Sequence, residues 1–140
     1  MKIYTTYSST TFNIYSGIGA KKWGFSKPQK SRRNISPGEK FLVICEKEEA
    51  EKTYLVALGD ILSYSRAESE EKYVWQDGPY YDCFKVSFTH KGEISIDNLR
   101  EIFGDSEKSW DKELKAWLTN AHSEITPDQF LDLISELESI

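Results

Sequence analysis

The amino-acid sequence predicts an α+β domain, in which a mostly antiparallel β-sheet or barrel is flanked by helices. Two observations carry this prediction. Segments with the composition of strands occupy most of the first two thirds of the chain, and helical patterns dominate the last third. Strands followed by helices in this way are typical of α+β architectures. The length of 140 residues suits one domain with a hydrophobic core of its own.

The strand predictions rest on runs of β-branched, aromatic and apolar residues. Residues 2–7 form the first such run. The continuous apolar run at residues 41–45 has the length of a strand and predicts burial on both faces. Two further strands are expected over residues 53–64 and 80–88, followed by a polar turn at residues 89–93.

The helix predictions rest on capping residues and on apolar spacing. Residues 8–10 offer N-caps for a short helix that Gly17 and Gly19 are expected to stop. Residues 96–103 carry apolar side chains at helical spacing. At residues 126–129 a threonine, a proline and a glutamine stand at the positions that begin a helix, which then presents an apolar face to about residue 137.

The residue types that support catalysis are scarce. His90 and His122 are the only histidines, and each lies in a polar stretch typical of an exposed loop. The sequence contains no nucleophile elbow, no phosphate-binding P-loop and no His-Glu-x-x-His motif. Cys45 and Cys83 are too few for a disulfide framework or a structural zinc site. We therefore expect a binding protein rather than an enzyme, with no metal and no cofactor.

Composition also bears on the compartment. No apolar run approaches the roughly 18 residues that a membrane span needs, and no charged-then-apolar leader opens the chain. Two cysteines without a disulfide framework suit a reducing environment. The sequence predicts a cytoplasmic protein with no membrane partner.

Charge is concentrated in one segment. The chain has 18 basic and 23 acidic residues, yet residues 20–33 hold six bases and no acid. Such a segment can place a positive patch against phosphates, and Trp23 within it offers an aromatic face to a base. The alternative is a solvated loop with an incidental charge cluster. The expected phosphate contacts are Lys21, Lys22, Lys27, Lys30, Arg32 and Arg33.

An ordered set of short segments resembles the EVE domains of the PUA-like superfamily. Residues 21–27 resemble the Trp-Gly-Val motif that follows the first helix of that family, and residues 36–44 resemble its Pro-Gly-Asp-Lys strand entry. Residues 74–78 are similar to its Ile-Trp-Pro-Asp segment, and residues 81–86 to its Tyr-Pro-Tyr-Arg-Val strand. The order and spacing of these segments agree over about residues 2–118.

The resemblance implies a PUA-like fold, a twisted, barrel-like sheet flanked by helices. The EVE-like domain would occupy residues 1–120, and residues 121–140 would form an acidic helix that packs on the domain or leads into a linker. EVE domains are similar to YTH domains, which hold N6-methyladenine in an aromatic cage. PUA-like domains of restriction systems read modified cytosine or adenine in DNA, sometimes by flipping the base out.

The same resemblance implies a base-binding site. Trp23 and Trp75 match the two cage tryptophans, whose rings would hold a methylated base between them. Neither tryptophan lies on an apolar stripe, which favours loop positions near the surface. The alternative is that both rings pack in the core, because tryptophan is highly buried on average. Polar candidates for the base edge are Ser8, Ser9, Thr10, Asn13, Asp60 and Asp77.

Together with the resemblance, these observations predict a reader of a modified base, methylated adenine or cytosine, and the analogy with restriction systems favours DNA over RNA. Such a reader would be the targeting domain of a restriction or defence protein, with a nuclease or NTPase as a fused or separate partner. Two other readings stay open. The domain could bind a protein or a small ligand, with the acidic C-terminal helix as its partner surface, or it could read modified RNA.

Overall fold

The computed structural model describes residues 1–26, 29–47, 50–66, 80–103 and 122–140, with the side chains of residues 50 and 51 excepted. Within these ranges the chain forms seven strands, three α-helices and one 3-10 turn at Lys30–Asn34. The strands are β1 (Lys2–Tyr7), β2 (Lys22–Phe25), β3 (Lys40–Lys47), β4 (Ala50–Arg66), β5 (Asp82–Ser95), β6 (His122–Glu124) and β7 (Glu138–Ser139). The helices are α1 (Thr11–Ala20), α2 (Ile96–Phe103) and α3 (Pro127–Ser135).

All seven strands join one sheet in the order β2-β5-β4-β3-β1-β6, and β7 also pairs with β5. The pairing of β1 with β3 is parallel, and the other pairings are antiparallel. The mixed sheet with its helices confirms the predicted α+β class. The finer PUA-like assignment stays a prediction.

The sheet is buried on both faces, as the apolar run in β3 predicts. Phe41 and Val43 belong to one hydrophobic cluster, and Leu42 and Ile44 belong to the other. All four are at most 1% exposed. Helix α1 contributes Ile14 to the first cluster, which we call the aromatic face because it contains Tyr4, Trp23, Phe25, Phe41 and Phe84. Helices α2 and α3 contribute Leu99 and Leu133 to the second cluster, which we call the aliphatic face.

Helix α1 begins as predicted and ends later than predicted. The Thr10 hydroxyl accepts a hydrogen bond from the Asn13 amide at 3.2 Å, which confirms the N-cap. The helix runs through both glycines to Ala20 and ends where Lys21 adopts the left-handed conformation (φ 57°). The expected stop at Gly17 is wrong because this glycine serves packing. A Cβ there would lie 2.9 Å from Cε3 of Trp23.

Two expected loops are strands. Trp23 and Phe25 lie in β2, paired with β5, rather than in a loop near the surface. His90 lies within β5 opposite Leu58 of β4, rather than in a turn. These segments read as loops because lysines and glycines interrupt their apolar pattern, whereas pairing with a neighbouring strand decides their conformation.

The C-terminal segment packs on the sheet. Thr126 and Gln129 form a capping box, with hydrogen bonds of 3.1 Å and 2.8 Å, so the predicted helix start is confirmed. Helix α3 ends at Ser135, and β7 then returns to the sheet. Leu133 is fully buried in the aliphatic face. Among the three helices described, none combines the length and apolarity needed to cross a bilayer.

Candidate nucleic-acid interface

The loop between β1 and α1 is fixed by its own polar groups. The Ser8 amide donates to the Ile44 carbonyl at 2.8 Å, and the Ser8 hydroxyl donates to the Thr10 carbonyl at 2.7 Å. Ser8 is only 3% exposed, so its hydroxyl shapes the turn. Ser9 is exposed at the tip of that turn.

Asn13, in the first turn of α1, carries an unmet hydrogen-bonding demand. Its Oδ1 atom is buried and has no hydrogen-bond partner within the described part of the chain. A buried acceptor without a donor costs about 1–3 kcal/mol. Such groups often mark a binding site or an ordered water. Among the predicted base-edge residues that the structure describes, Asn13 is the one whose side-chain acceptor is buried without a hydrogen-bond partner.

Trp23 of β2 packs against α1 at Gly17, about one helical turn after Asn13. Its ring packs on the backbone of Gly17, and residues four apart on a helix share a face. The ring centroid lies 6.0 Å from that of Phe41, and Trp23 is 5% exposed. Helix α1 thus brings the Asn13 amide and the Trp23 ring to the same side of the sheet, where the indole belongs to the hydrophobic core of the aromatic face.

Arg32 corrects one of the expected phosphate contacts. It is 3% exposed, and its Nε donates to both carboxylate oxygens of Asp82 at 3.1 Å and 3.0 Å. Its Nη1 donates to the Tyr4 hydroxyl at 3.3 Å, and the guanidinium lies 4.2 Å from the Phe25 ring centroid. Burial lowers the pKa of Arg32, but the hydrogen bonds that Arg32 donates to Asp82 and Tyr4 outweigh burial and raise it. Arg32 stabilises the fold and is not accessible to a phosphate.

The remaining basic residues of the segment stay near solvent. Lys21, Lys30 and Arg33 are exposed, and Lys22 is half-buried. The neighbouring hydroxyl groups of Tyr64 and Tyr81 raise the pKa of Arg33, so this guanidinium lies close to the start of β5. Lys27 lies outside the described residues, as do Trp75 and Asp77.

Asp60 is not brought to this site. Its carboxylate accepts a hydrogen bond from Lys40 Nζ at 2.5 Å, and Lys40 Nζ lies 5.3 Å from the Phe130 ring centroid. Phe130 packs on the aliphatic face, whereas Trp23 packs on the aromatic face. The expectation that Asp60 binds the base edge is therefore wrong, because its ion pair lies on the other side of the sheet.

Sequence reasoning missed the partners of the basic segment. Asp82 lies 50 positions from Arg32, and nothing in the local sequence marks a carboxylate that far away as its partner. Lys85, which lies opposite Lys22 in the β2–β5 ladder, was missed for the same reason. Within the described ranges, no group of three or more His, Cys, Asp or Glu side chains could hold a metal ion.

Comparison with solved structures finds a similar fold. The chain is similar to the YTH domain of the Zygosaccharomyces rouxii MRB1 protein, determined in complex with N6-methyladenosine RNA, with a TM-score of 0.63 and 15% sequence identity. The likeness covers 99% of this chain and 90% of that one. The chain therefore has a YTH-like fold. No family model matches the sequence, and no curated protein matches it.

Proposed function

We propose that this protein binds nucleic acid by recognising a modified base, and that the base is N6-methyladenine. The observation that carries the proposal is the likeness of the whole chain to a YTH domain bound to N6-methyladenosine RNA. The resemblance of residues 21–27 and 74–78 to EVE motifs supports the same class of ligand independently. The protein would act by binding alone, without catalysis.

Asn13 and Trp23 supply complementary parts of the proposed site. N6-methyladenine keeps one N–H on its exocyclic nitrogen, and the buried Oδ1 of Asn13 is an acceptor without a described donor. Trp23 would form the inner wall, since Gly17 and Phe41 already hold its ring. Trp75 would form the opposite wall. Stacking between two indole rings rewards a methylated, polarisable base.

The exposed bases of the 20–33 segment would contact the phosphates. Lys21, Lys22, Lys30 and Arg33 lie at or near the surface, and we retain Lys27 in the same role. Their contribution is independent of base identity, so it sets overall affinity and its dependence on salt.

The proposal also concerns which nucleic acid, DNA or RNA, carries the modified base. The sequence resemblance to domains of restriction systems favours DNA, together with a nuclease or NTPase as fused or separate partner. The neighbour in the structural comparison was bound to RNA. Both polymers therefore belong in the binding assay, and a preference for methylated DNA would support a defence role.

The Asn13 variants test this site directly. We expect Asn13→Ala to lower affinity for a methylated single strand at least tenfold, because the N6–H donor would lose its acceptor. Affinity for the unmethylated strand should fall by less, because without the stacked methylated base that strand is held mainly by the phosphate contacts. The matched control is Asn98→Ala. Asn98 lies on α2, where its side-chain amide nitrogen donates a hydrogen bond to Glu136 at 3.4 Å. Fluorescence anisotropy at fixed salt measures both. If Asn13→Ala and Asn98→Ala bind alike, Asn13 does not read the base.

A further inference from the structure

A pocket of about 620 Å³ opens at the other end of helix α1. Its walls come from the end of α1, the start of β2, β4, β5 and the residue after β7. Its lining combines apolar side chains, among them Ile18, Leu62 and Phe88, with the three lysines Lys21, Lys22 and Lys85. Volumes of 300–1,000 Å³ are typical of pockets that bind small molecules.

The pocket lies over a gap in the edge of the sheet. Strand β2 pairs with residues 82–85 of β5, and β7 pairs with residues 90–91, so none of the described strands pairs with β5 between them on this side. The gap is bounded by two hydrogen bonds. The Val86 amide donates to the Lys21 carbonyl at 3.0 Å, and the Ile140 amide donates to the Thr89 carbonyl at 2.9 Å.

Three locally unfavourable features meet at this pocket. Leu62 is the extra residue of a bulge between β4 and β5, and it is 54% exposed. Lys22 lies directly opposite Lys85 in the ladder, where like charges repel. Lys21, at the end of α1, adopts the left-handed backbone conformation, with φ at 57°, which residues other than glycine rarely adopt. Features of this kind concentrate at sites whose function outweighs their local cost.

The pocket lies at the opposite end of α1 from Asn13, and it shares Lys21 and Lys22 with the proposed phosphate contacts. Asn13 lies at the start of α1 and Lys21 caps its end, and a helix of ten residues is about 15 Å long. The charge of the pocket is also exceptional, because the chain as a whole carries a net charge of -5. A ligand that suits the pocket needs an anionic head for the lysines and an apolar body for Ile18, Leu62 and Phe88.

We propose that this pocket binds a small organic anion, with a phosphate or carboxylate group among the three lysines and an apolar chain or ring against Leu62 and Phe88. Lys85 and Leu62 are the deciding residues, since each reaches the pocket from a different strand. The proposal does not depend on recognition of a methylated base, so the two can fail separately.

Titration calorimetry with four probes tests the pairing of head and body. The probes are octyl phosphate, octanoate, inorganic phosphate and octanol. We expect octyl phosphate or octanoate to bind at least tenfold more tightly than inorganic phosphate or octanol, and their ranking identifies the preferred head. Equal binding of all four would overturn the proposal.

Two variants and one control locate the binding. Lys85→Glu should weaken the preferred amphipathic anion at least tenfold, and Leu62→Ser should weaken it severalfold while leaving inorganic phosphate unchanged. Lys52→Glu is the control, because Lys52 is an exposed lysine with φ at 60° that does not line the pocket. Equal effects of Lys85→Glu and Lys52→Glu would overturn the proposal. It would also fail if Lys85→Glu weakened only oligonucleotides, since the lysines would then belong to a nucleic-acid surface.

Discussion

Tyr4 connects two polar partners inside the aromatic face. Its hydroxyl donates to Oε1 of Gln29 at 3.2 Å and accepts from Nη1 of Arg32 at 3.3 Å. Its ring stacks edge-on against Phe84, with centroids 5.0 Å apart. This one side chain therefore couples the hydrophobic core to the buried ion pair that holds the 3-10 turn against β5.

The Tyr4 hydroxyl should stabilise the fold measurably. Tyr4→Phe removes a hydrogen bond to a charged group, and such bonds contribute about 1.5–3 kcal/mol. We expect a loss of that size at pH 7 in the free energy of unfolding, measured with urea. Tyr15→Phe is the control because Tyr15 is 54% exposed. Equal stability of both variants would contradict the role assigned to the Tyr4 hydroxyl.

The same tyrosine predicts how stability depends on alkaline pH. Burial raises the pKa of Tyr4 above its ordinary value of 10.0, and burial also raises the pKa values of Tyr7 and Tyr64. The folded state therefore keeps the proton more tightly than the unfolded state. Stability should be constant with respect to these groups below pH 10 and should fall as pH rises further. The fall should be less steep in Tyr4→Phe, and an unchanged slope would contradict this assignment.

The Arg32–Asp82 ion pair is buried, so water cannot take the place of a missing partner. The side chains of Arg32 and Asp82 are 4% and 1% exposed. Removal of one partner from such a pair costs about 3–5 kcal/mol, whereas replacement of both by apolar residues can be neutral. We expect Asp82→Leu and Arg32→Met each to destabilise by that amount and the double variant to recover most of the loss. Additive losses in urea unfolding would contradict the pairing.

At the scale of elements, α1 shows why one glycine cannot be exchanged. A Cβ on Gly17 would lie 2.9 Å from Trp23 Cε3 and 3.0 Å from the Lys22 carbonyl oxygen, whereas a Cβ on Gly19 meets nothing within 4 Å. Gly17→Ala should destabilise by about 1–3 kcal/mol through overpacking. Gly19→Ala should be neutral or stabilise by up to about 1 kcal/mol, because alanine favours the helix. Thermal unfolding of the two variants makes the comparison, and equal effects would show that the ring does not rest on Gly17.

Elements with a strong local signal were predictable, and those defined by partners were not. The run in β3, the Thr10 cap of α1 and the capping box of α3 carry their signals within a few residues. Strand β2 has only four residues and a glycine among them, so only its pairing with β5 identifies it. The end of α1 was misjudged for a related reason, since the packing of a distant ring decides what Gly17 does.

In the candidate site, too, the sequence indicates some residues and cannot show the partners of others. The sequence names Asn13 and Trp23 as candidates, which α1 brings near each other. Although Trp23 is buried in the core, the sequence favours a surface loop for it. It assigned Arg32 and Asp60 to ligand contacts, because the sequence does not show that Asp82 and Lys40 already bind them. Ion pairs across the sheet depend on strand order, which emerges only at the level of the whole fold.

At the scale of the whole molecule, the two faces of the sheet pack against different helices. Helices α2 and α3 close the aliphatic face, and α1 on the aromatic face carries the proposed base site at its start and the lysine-lined pocket at its end. The basic segment begins where α1 ends, so phosphate contacts and base recognition would be joined through one helix. A rigid scaffold of this kind suits recognition of one flipped-out or unpaired base.

The central claim is that binding depends on the methyl group of one adenine. The most direct measurement is the ratio of dissociation constants for oligonucleotides that differ only in N6-methylation of a single adenine, in single-stranded RNA and in single- and double-stranded DNA at fixed salt. We expect a ratio of at least ten in favour of the methylated strand in one of these polymers, which corresponds to about 1.4 kcal/mol. A ratio near one in all of them would contradict it.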